Sequence, residues 1–245
     1  MRNLLAGLCF LAAGPALAQD GDWTYDASIY LFFPKTDVAV DTPLGSVDGE
    51  LSISDAIDNL DFAFMGALEA RTGPWSFIGD FIYFNVSPNA PTPKGLAFSQ
   101  VVVDTKLTML SAYGMYRVTG DSKTSVDLGF GARAYWSDVT TTFSGNLAAT
   151  RVFDTSDNWV DPLLAARIRT DFNDKWYGAL FLDAGGFGVG SDSTYQVLAT
   201  VGYRINDKWA VQGGYRYIDI DKGEDDASDL NISLSGPIIG AVYRF

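Results

Sequence analysis

Apolar and polar residues alternate along most of this chain with a period of two. From Trp23, apolar side chains recur at every second position as far as Phe33, with polar residues such as Asp26 and Ser28 between them. A period of two is that of a β-strand with one apolar and one polar face. The alternation resumes after each turn-forming segment. The pattern therefore predicts an all-β chain of about ten antiparallel strands, joined alternately by short turns and longer loops.

The last predicted strand, residues 231–245, ends on an aromatic residue. Counting back in twos places Phe245 and Tyr243 on one face, and Arg244 and Val242 on the other. A chain that ends on Phe, with Tyr two residues earlier, resembles the C-terminal strand of bacterial outer-membrane β-barrels. The resemblance implies that Tyr243 and Phe245 act as an assembly signal that the barrel-assembly machinery recognises.

The first 18 residues have the composition of a secretory signal peptide. A positive charge is followed by an apolar run over residues 4–13 and then by the small-x-small cleavage pattern Ala16-Leu17-Ala18. We expect cleavage after Ala18, which leaves residues 19–245 as one outer-membrane barrel domain. The only cysteine of the chain, Cys9, lies inside this segment. The mature protein is therefore expected to have neither disulfides nor thiol chemistry.

The composition is unusually apolar for a strongly acidic chain. Hydrophobic residues make up 47% of it and the mean hydropathy is +0.07, although the net charge is −13. Nothing in the sequence supplies the roughly 20 consecutive apolar residues of a spanning helix. Apolar residues at alternate positions, with charges confined to loops and one strand face, are typical of a transmembrane β-barrel. A soluble β-sandwich shows the same alternation and stays the alternative, whereas no basic cluster indicates nucleic-acid binding.

One loop of the predicted barrel is long and acidic. Residues 35–61 carry seven aspartate or glutamate residues. Inside this loop, Ser54-Asp55-Ala56-Ile57 has the residue types that cap one helical turn. We expect that turn to pack Ile53, Ile57 and Leu60 against the mouth of the barrel.

Two features of the strands bear on the membrane boundary. The central strands, residues 98–118 and 124–143, exceed the roughly 9 to 11 residues that cross a bilayer, so we expect them to extend above its surface. The tetrapeptide Asn-Asp-Lys-Trp occurs at residues 173–176 and 206–209, which indicates a tight turn followed by an aromatic residue at the interface. The predicted aromatic girdle consists of Trp23, Trp75, Trp176, Trp209, Tyr203, Tyr215 and Phe245.

Two segments rich in glycine and aromatic residues resemble a known family. Residues 183–196, D-A-G-G-F-G-V-G-S-D-S-T-Y-Q, and residues 214–217, G-Y-R-Y, are similar to segments of small Gram-negative outer-membrane barrels of OmpA-like and OmpW-like architecture. The resemblance covers essentially the whole predicted mature chain. It implies an antiparallel up-and-down transmembrane β-barrel in the cell outer membrane, and it carries over no catalytic residue.

Charged residues on the faces opposite the aromatic residues are the candidate lining of the barrel lumen. A charge on the lipid face costs a few kcal/mol near the membrane midplane, so the periodicity of the charges identifies the inward face. The candidates are Asp26, Glu69, Arg71, Asp80, Asp104, Lys106, Asp127, Arg133, Arg167, Arg169, Asp183, Arg204, Arg216 and Arg244. Two interpretations remain open: a paired, hydrogen-bonded plug, or a water-filled pore lined by arginine that favours anions.

The sequence gives little support for catalysis, cofactors or metals. The chain has no histidine, and the small outer-membrane barrels that are hydrolases or acyltransferases rely on one as a base.

Residues 185–190 satisfy neither glycine motif for nucleotide phosphates, and a tight hairpin explains them better. Residues 219–226 are similar to a calcium loop, but the glycine falls one place early and an acidic ligand is missing. A solvated loop is favoured there over a weak divalent-ion site that bridges to lipopolysaccharide.

Together these observations predict an integral outer-membrane β-barrel with a structural or surface-interaction role and a narrow, charge-filled lumen. The alternative is a small porin or channel that passes ions or small anionic solutes. The expected partners are outer-membrane lipid, lipopolysaccharide and the barrel-assembly machinery, and no nucleic acid. No enzymatic activity and no cofactor are expected, and the sequence leaves the oligomeric state open.

Overall fold

A computed structural model describes residues 23–42, 45–87, 89–91, 98–121, 123–145, 149–223 and 230–245. The predicted signal peptide, residues 1–18, lies outside the described residues. The described chain contains one short helix, α1 (Ile53–Asp58), and the strands β1 (Thr24–Phe32), β2 (Lys35–Thr42), β3 (Gly45–Leu51), β4 (Leu60–Thr72), β5 (Trp75–Val86), β6 (Asn89–Pro91), β7 (Phe98–Gly120), β8 (Thr124–Gly145), β9 (Arg151–Asp171), β10 (Trp176–Gly186), β11 (Ser193–Arg204), β12 (Trp209–Lys222) and β13 (Leu230–Arg244).

Ten of these strands form a closed antiparallel barrel. Neighbouring strands pair in the order β1-β4-β5-β7-β8-β9-β10-β11-β12-β13. The last strand then returns to the first, in a register that runs from Asp26 opposite Arg244 to Phe32 opposite Ile238. The prediction of an all-β, antiparallel up-and-down barrel of about ten strands is confirmed. A sandwich of two packed sheets is excluded, because one closed sheet forms the whole wall.

The two ends of the barrel differ. Tight turns after β4, β7, β9 and β11 lie at one end together with Trp23 and Phe245, and we call this the short-turn end. At the opposite, long-loop end, β2 continues β1 beyond Phe33 and Pro34, pairs with the first half of β13 and forms a hairpin with β3. The short β6 pairs with β7 at the same end.

The helix α1 begins earlier than the sequence indicated. Ser52, and not Ser54, is its N-cap: the Ser52 Oγ accepts a hydrogen bond from the Asp55 backbone N–H at 3.2 Å, and the Asp55 carboxylate accepts one from the Ser52 N–H at 3.3 Å. Ile57 and Leu60 are 49% and 42% exposed, so their predicted packing against the barrel mouth is wrong. No helix among the described residues is both long enough and apolar enough to cross a membrane.

The outer surface carries an uncharged belt between two rings of aromatic side chains. Trp75 and Tyr83 on β5, and Trp209 and Tyr217 on β12, mark the two rings and are eight residues apart in each case. At about 3.4 Å per residue and a strand tilt of about 40°, eight residues span roughly 20 Å along the barrel axis. This height is close to the ~25 Å apolar band of outer-membrane barrels. The described outward positions between the rings include no charged residue.

Most of the predicted girdle lies in the ring at the short-turn end. There, Trp176 packs edge-on against Tyr203, with ring centroids 5.0 Å apart, and Trp209 packs against Tyr243 at 4.8 Å. The assignment of Tyr215 to the girdle is wrong. Its side chain faces outward as expected, but it lies six residues along β12 from Trp209 and therefore between the two rings. The second ring, at the long-loop end, contains Tyr83, Trp136, Tyr195 and Tyr217.

Candidate functional site

Three sets of side chains lie one after another along the barrel axis, starting from the short-turn end. The first, the mouth cluster, consists of Asp26, Glu69, Arg71, Arg117, Asp127, Arg167, Arg169 and Arg244. The second, the mid-barrel layer, consists of Tyr30, Asp80, Ser111, Tyr113, Arg133, Asp183, Gln196 and Arg216. The third, the apolar plug, consists of Phe32, Met65, Ile82, Leu107, Met109, Tyr135, Trp159, Ile218, Ile220, Leu234 and Ile238.

Arg133 organises one half of the mid-barrel layer. It projects inward from β8 and is 1% exposed. Its Nε donates to the Ser111 hydroxyl at 2.9 Å, and its Nη2 donates to the Tyr113 hydroxyl at 2.9 Å and to Asp183 Oδ2 at 2.7 Å. The Tyr113 hydroxyl donates in turn to Asp183 Oδ2 at 2.8 Å. Charge-assisted bonds of this kind are short and roughly twice as strong as neutral ones.

Arg216 organises the other half of the layer. Its Nε donates to Gln196 Oε1 at 2.7 Å, its Nη1 donates to the Tyr30 hydroxyl at 2.8 Å, and its Nη2 bonds the Asp80 carboxylate. The Tyr30 hydroxyl also donates to Asp80, at 2.5 Å. Gln196 joins the two halves, because its Nε2 donates to Asp183 at 2.7 Å. The layer is thus one continuous hydrogen-bond network that crosses the lumen.

Glu69 stands at the centre of the mouth cluster. Its carboxylate accepts from Arg167 Nη1 at 2.7 Å, from Arg169 Nη2 at 3.0 Å and from the Ser76 hydroxyl at 2.5 Å, and Arg71 Nη1 lies 3.6 Å away. Arg167 and Arg169 project from β9 and reach across the interior to Glu69 on β4. Through these charge-assisted bonds one carboxylate links two distant strands.

The other carboxylates of the mouth cluster repeat this arrangement. Asp26 accepts from Arg71 Nη2 at 2.5 Å and from Arg244 Nε at 2.8 Å. Asp127 accepts from Arg167 Nη2 at 2.6 Å. Because Asp26 lies on β1 and Arg244 on β13, their ion pair spans the seam where the barrel closes.

A cavity of about 610 Å³ lies beside the mouth cluster. It extends from the turn residues Lys175 and Lys208 at the short-turn end to Tyr30 and Arg216 of the mid-barrel layer. Charged side chains line part of it. Small and apolar side chains line the rest, and they include Ala179, Phe181, Leu198 and Val242.

The structure places most of the predicted lining residues in the interior, in the mouth cluster, the mid-barrel layer or the cavity wall. These residues are Asp26, Glu69, Arg71, Asp80, Asp127, Arg133, Arg167, Arg169, Asp183, Arg204, Arg216 and Arg244. Arg204 lies nearest the short-turn end, where it pairs with Asp171 and its guanidinium stands 4.9 Å from the centre of the Tyr177 ring.

Asp104 and Lys106 are exceptions. On β7 the buried side chains are Leu107 and Met109, so residues 104 and 106 have the parity of the outward face, and the Lys106 side chain is exposed. Lys106 is paired in register with Asp138, two residues past Trp136 of the second ring. An outward charge is allowed there because the position lies beyond the apolar belt. The prediction that these two residues line the lumen is wrong.

Sequence reasoning missed several interior residues, most of which are neutral. Tyr30 and Gln196 have the same parity as charged residues on their strands, and that parity is the signal that could have found them. Tyr113 has the opposite parity to Asp104 and Lys106 on β7, so the same signal would have placed it outward. Asp161 is also fully buried. It accepts from the Ser191 N–H at 2.7 Å and from the Ser191 hydroxyl at 2.8 Å, and so holds the β10–β11 hairpin against the wall.

The glycine-rich run forms the hairpin that the sequence predicted. Gly186, Phe187 and Gly188 have φ of 86°, 52° and 71°, the left-handed conformations of a tight turn. The acidic segment 219–226 lies only partly within the described residues, and the divalent-ion hypothesis stays a prediction. Within the described residues, no group of three or more acidic, His or Cys side chains is arranged to hold a metal.

Proteins similar to this chain are found by comparison of structures but not by comparison of sequences. No protein-family model and no curated protein matches the chain. Similar solved structures include the Neisserial surface protein A (16% identity, TM-score 0.36, covering 91% of this chain and 97% of that one) and the outer-membrane protease OmpT from Escherichia coli (11%, 0.47, 91% and 96%). The translocator domain of the autotransporter NalP from Neisseria meningitidis is another (10%, 0.42, 94% and 91%).

Ten antiparallel strands closed into a wall, with an uncharged apolar exterior and a polar interior, are the features of outer-membrane barrels. The fold is that of a small outer-membrane barrel. The barrel's particular role does not follow from these features, because one such wall can hold many different sites.

Proposed function

We propose that this chain is an integral outer-membrane barrel with a structural or surface-interaction role, whose interior is sealed. The observation that carries the proposal is the mid-barrel layer with the apolar plug behind it. Arg133 and Arg216 are 1% and 2% exposed, and Leu234 and Ile218 of the plug are 0% exposed. Side chains buried to this degree support an interior that is closed to solvated ions.

The outer surface supports the membrane location. Ile29, Leu68 and Phe130 point away from the barrel and are each about two-thirds exposed. A protein encircled by an apolar belt would associate or aggregate in water, whereas lipid tails keep the belt out of contact with water. The aromatic rings on either side suit the two membrane interfaces.

The energetics of the interior favour a plug over an open pore. Charges in a narrow lumen lose hydration, and that loss is offset only where each charge meets partners of good geometry. Arg167 meets this condition with Glu69 at 2.7 Å and Asp127 at 2.6 Å. These bonds hold β4, β8 and β9 together through the centre of the barrel, so the charges serve as internal cross-links.

A channel for small anions is the second candidate. The cavity favours it, because it brings arginine side chains to the short-turn end of the lumen. That cavity ends at Tyr30, Asp80 and Arg216. Conduction would therefore require both the mid-barrel layer and the plug to move.

Assembly through the terminal strand gives the first test. The Phe245 ring is 71% exposed and stacks edge-on with Tyr243 at 5.0 Å, so it adds little to the folded core. We expect wild-type protein in the outer-membrane fraction, with the heat-modifiable gel mobility of a folded barrel. Phe245→Ser should reduce that folded, membrane-inserted yield severalfold, because the assembly machinery no longer recognises the chain end.

Phe187→Ser is the matched control, since Phe187 is 60% exposed at the opposite end of the barrel. Its yield should equal that of wild type. Equal yields for Phe245→Ser and wild type would contradict the assembly role, and wild-type protein outside the outer-membrane fraction would contradict the membrane location.

Outer-membrane lipid and lipopolysaccharide are the further proposed partners. Charges beyond the second aromatic ring, such as Lys106 and Asp138, stand at the height of lipid headgroups if that ring marks the interface. No enzymatic step is part of this proposal.

A further inference from the structure

We infer that the cavity at the short-turn end binds a small organic anion, a carboxylate with a compact apolar body, through Arg169 and Arg244. This inference goes beyond the proposed structural role. A sealed barrel needs no ligand, and a ligand in a blind cavity needs no pore. We infer this from the charge balance of the mouth cluster, from guanidinium donors that have no partner among the described residues and from the apolar part of the cavity wall.

The mouth cluster has more cations than anions. Of its members that line the cavity, four are arginines and only two are carboxylates, Asp26 and Glu69. The chain as a whole carries a net charge of −13, so this surplus is local and opposite in sign to the rest. Cations that are partly desolvated and lack counter-charges attract an anion of matching size.

Two of these arginines have donors to spare beside the cavity. Arg169 is 28% exposed at its side chain, and its one hydrogen bond to a described residue runs from Nη2 to Glu69. The Arg244 side chain is 45% exposed; its Nε and Nη2 donate to Asp26, and its Nη1 has no partner among the described residues. Both residues line the cavity. The planar guanidinium fork fits a carboxylate in bidentate geometry.

The apolar part of the cavity wall indicates the rest of the ligand. Ala179, Phe181, Leu198 and Val242 line the cavity beside the charged side chains, and Ala179 is paired in register with Arg169. Its volume of about 610 Å³ lies within the roughly 300 to 1,000 Å³ of small-molecule sites. An inorganic anion would leave this apolar wall in contact with water, whereas an organic carboxylate covers it and meets the arginines at the same time.

Calorimetric titration of the refolded full-length barrel in lipid nanodiscs tests the inference, with benzoate as the probe and benzamide as its neutral counterpart. We expect saturable benzoate binding and at least tenfold weaker benzamide binding. Arg169→Gln should weaken benzoate binding at least fivefold, and Arg244→Gln should do the same. Higher chloride concentrations should weaken binding, because chloride competes for the same donors.

Arg117→Gln is the matched control. Arg117 belongs to the mouth cluster through Asp127 at 3.4 Å but does not line the cavity, so benzoate affinity should not change. The inference is overturned if folded wild-type protein shows no saturable benzoate binding, if benzamide binds equally well, or if both cavity variants bind benzoate as wild type does. An equal loss in Arg117→Gln would also overturn it, since the effect would then come from the net charge and not from the site.

Discussion

Arg133→Met lowers the free energy of unfolding of the refolded barrel by about 3–5 kcal/mol, the cost of removing one partner of a buried ion pair. The loss is large because Arg133 is almost fully buried. Its guanidinium donates hydrogen bonds to Ser111, Tyr113 and Asp183. Without it, the Asp183 carboxylate stays in the interior with only neutral donors. Urea unfolding in lipid vesicles, followed by tryptophan fluorescence, measures the change.

Two comparisons show whether the loss comes from the uncompensated charge. Arg117→Met removes an arginine whose side chain is 42% exposed and whose bond to Asp127 is 3.4 Å long, so it should cost under about 1 kcal/mol. Adding Asp183→Asn to Arg133→Met should recover part of the lost stability, since the unpaired charge is removed. An Arg133→Met variant as stable as Arg117→Met would contradict a mid-barrel layer of buried ion pairs.

Gly131→Ala should cost about 1–3 kcal/mol through overpacking of the interior. A Cβ at Gly131 would lie 2.3 Å from the Ala112 carbonyl oxygen and 2.6 Å from the Tyr113 ring. The carbonyl belongs to the paired strand β7 and has no room to retreat. Displacing Tyr113 also disturbs its bonds to Arg133 and Asp183. The same vesicle-based unfolding experiment gives the measurement.

Gly79→Ala is the control for this substitution. Gly79 lies on the outward face of β5, and a Cβ there meets no atom within 4 Å. Its stability should stay within about 0.5 kcal/mol of wild type. Equal effects at positions 131 and 79 would mean that strand propensity decides the cost, and that the interior is less tightly packed than the structure indicates.

Much of the barrel could be predicted from the sequence, because a charged side chain on the lipid-facing side of a strand is energetically costly. Arg133, Arg167 and Arg216 each occur in a strand whose alternate residues are apolar. A charge on that apolar face would cost a few kcal/mol in lipid, so the pattern assigns these side chains inward. The same reasoning fails for Lys106, because an outward position beyond the second aromatic ring no longer meets lipid.

Tyrosine shows a second limit of the sequence pattern. Tyr113 points into the mid-barrel layer, whereas Tyr215 points outward between the aromatic rings. The side chain has an apolar body and a polar tip, so it suits either environment. The sequence pattern alone does not distinguish the two cases.

Partners across the lumen could not be predicted at all. Arg167 bonds Glu69, 98 residues away in the chain, and that pairing depends on strand order, tilt and side-chain reach. The cavity depends on the same quantities, together with the small size of Ala179 in its wall. Alternation identifies the inward face of a strand, but it does not show which inward residues meet.

The most direct test of a sealed interior is single-channel conductance of the refolded protein in a planar bilayer, under a salt gradient that reports ion selectivity. We predict no steady openings from preparations whose heat-modifiable mobility shows a folded barrel. Steady openings whose size or reversal potential changes on replacing Arg133, Arg167 or Arg216 would contradict the account, and would make the barrel a pore lined by those residues.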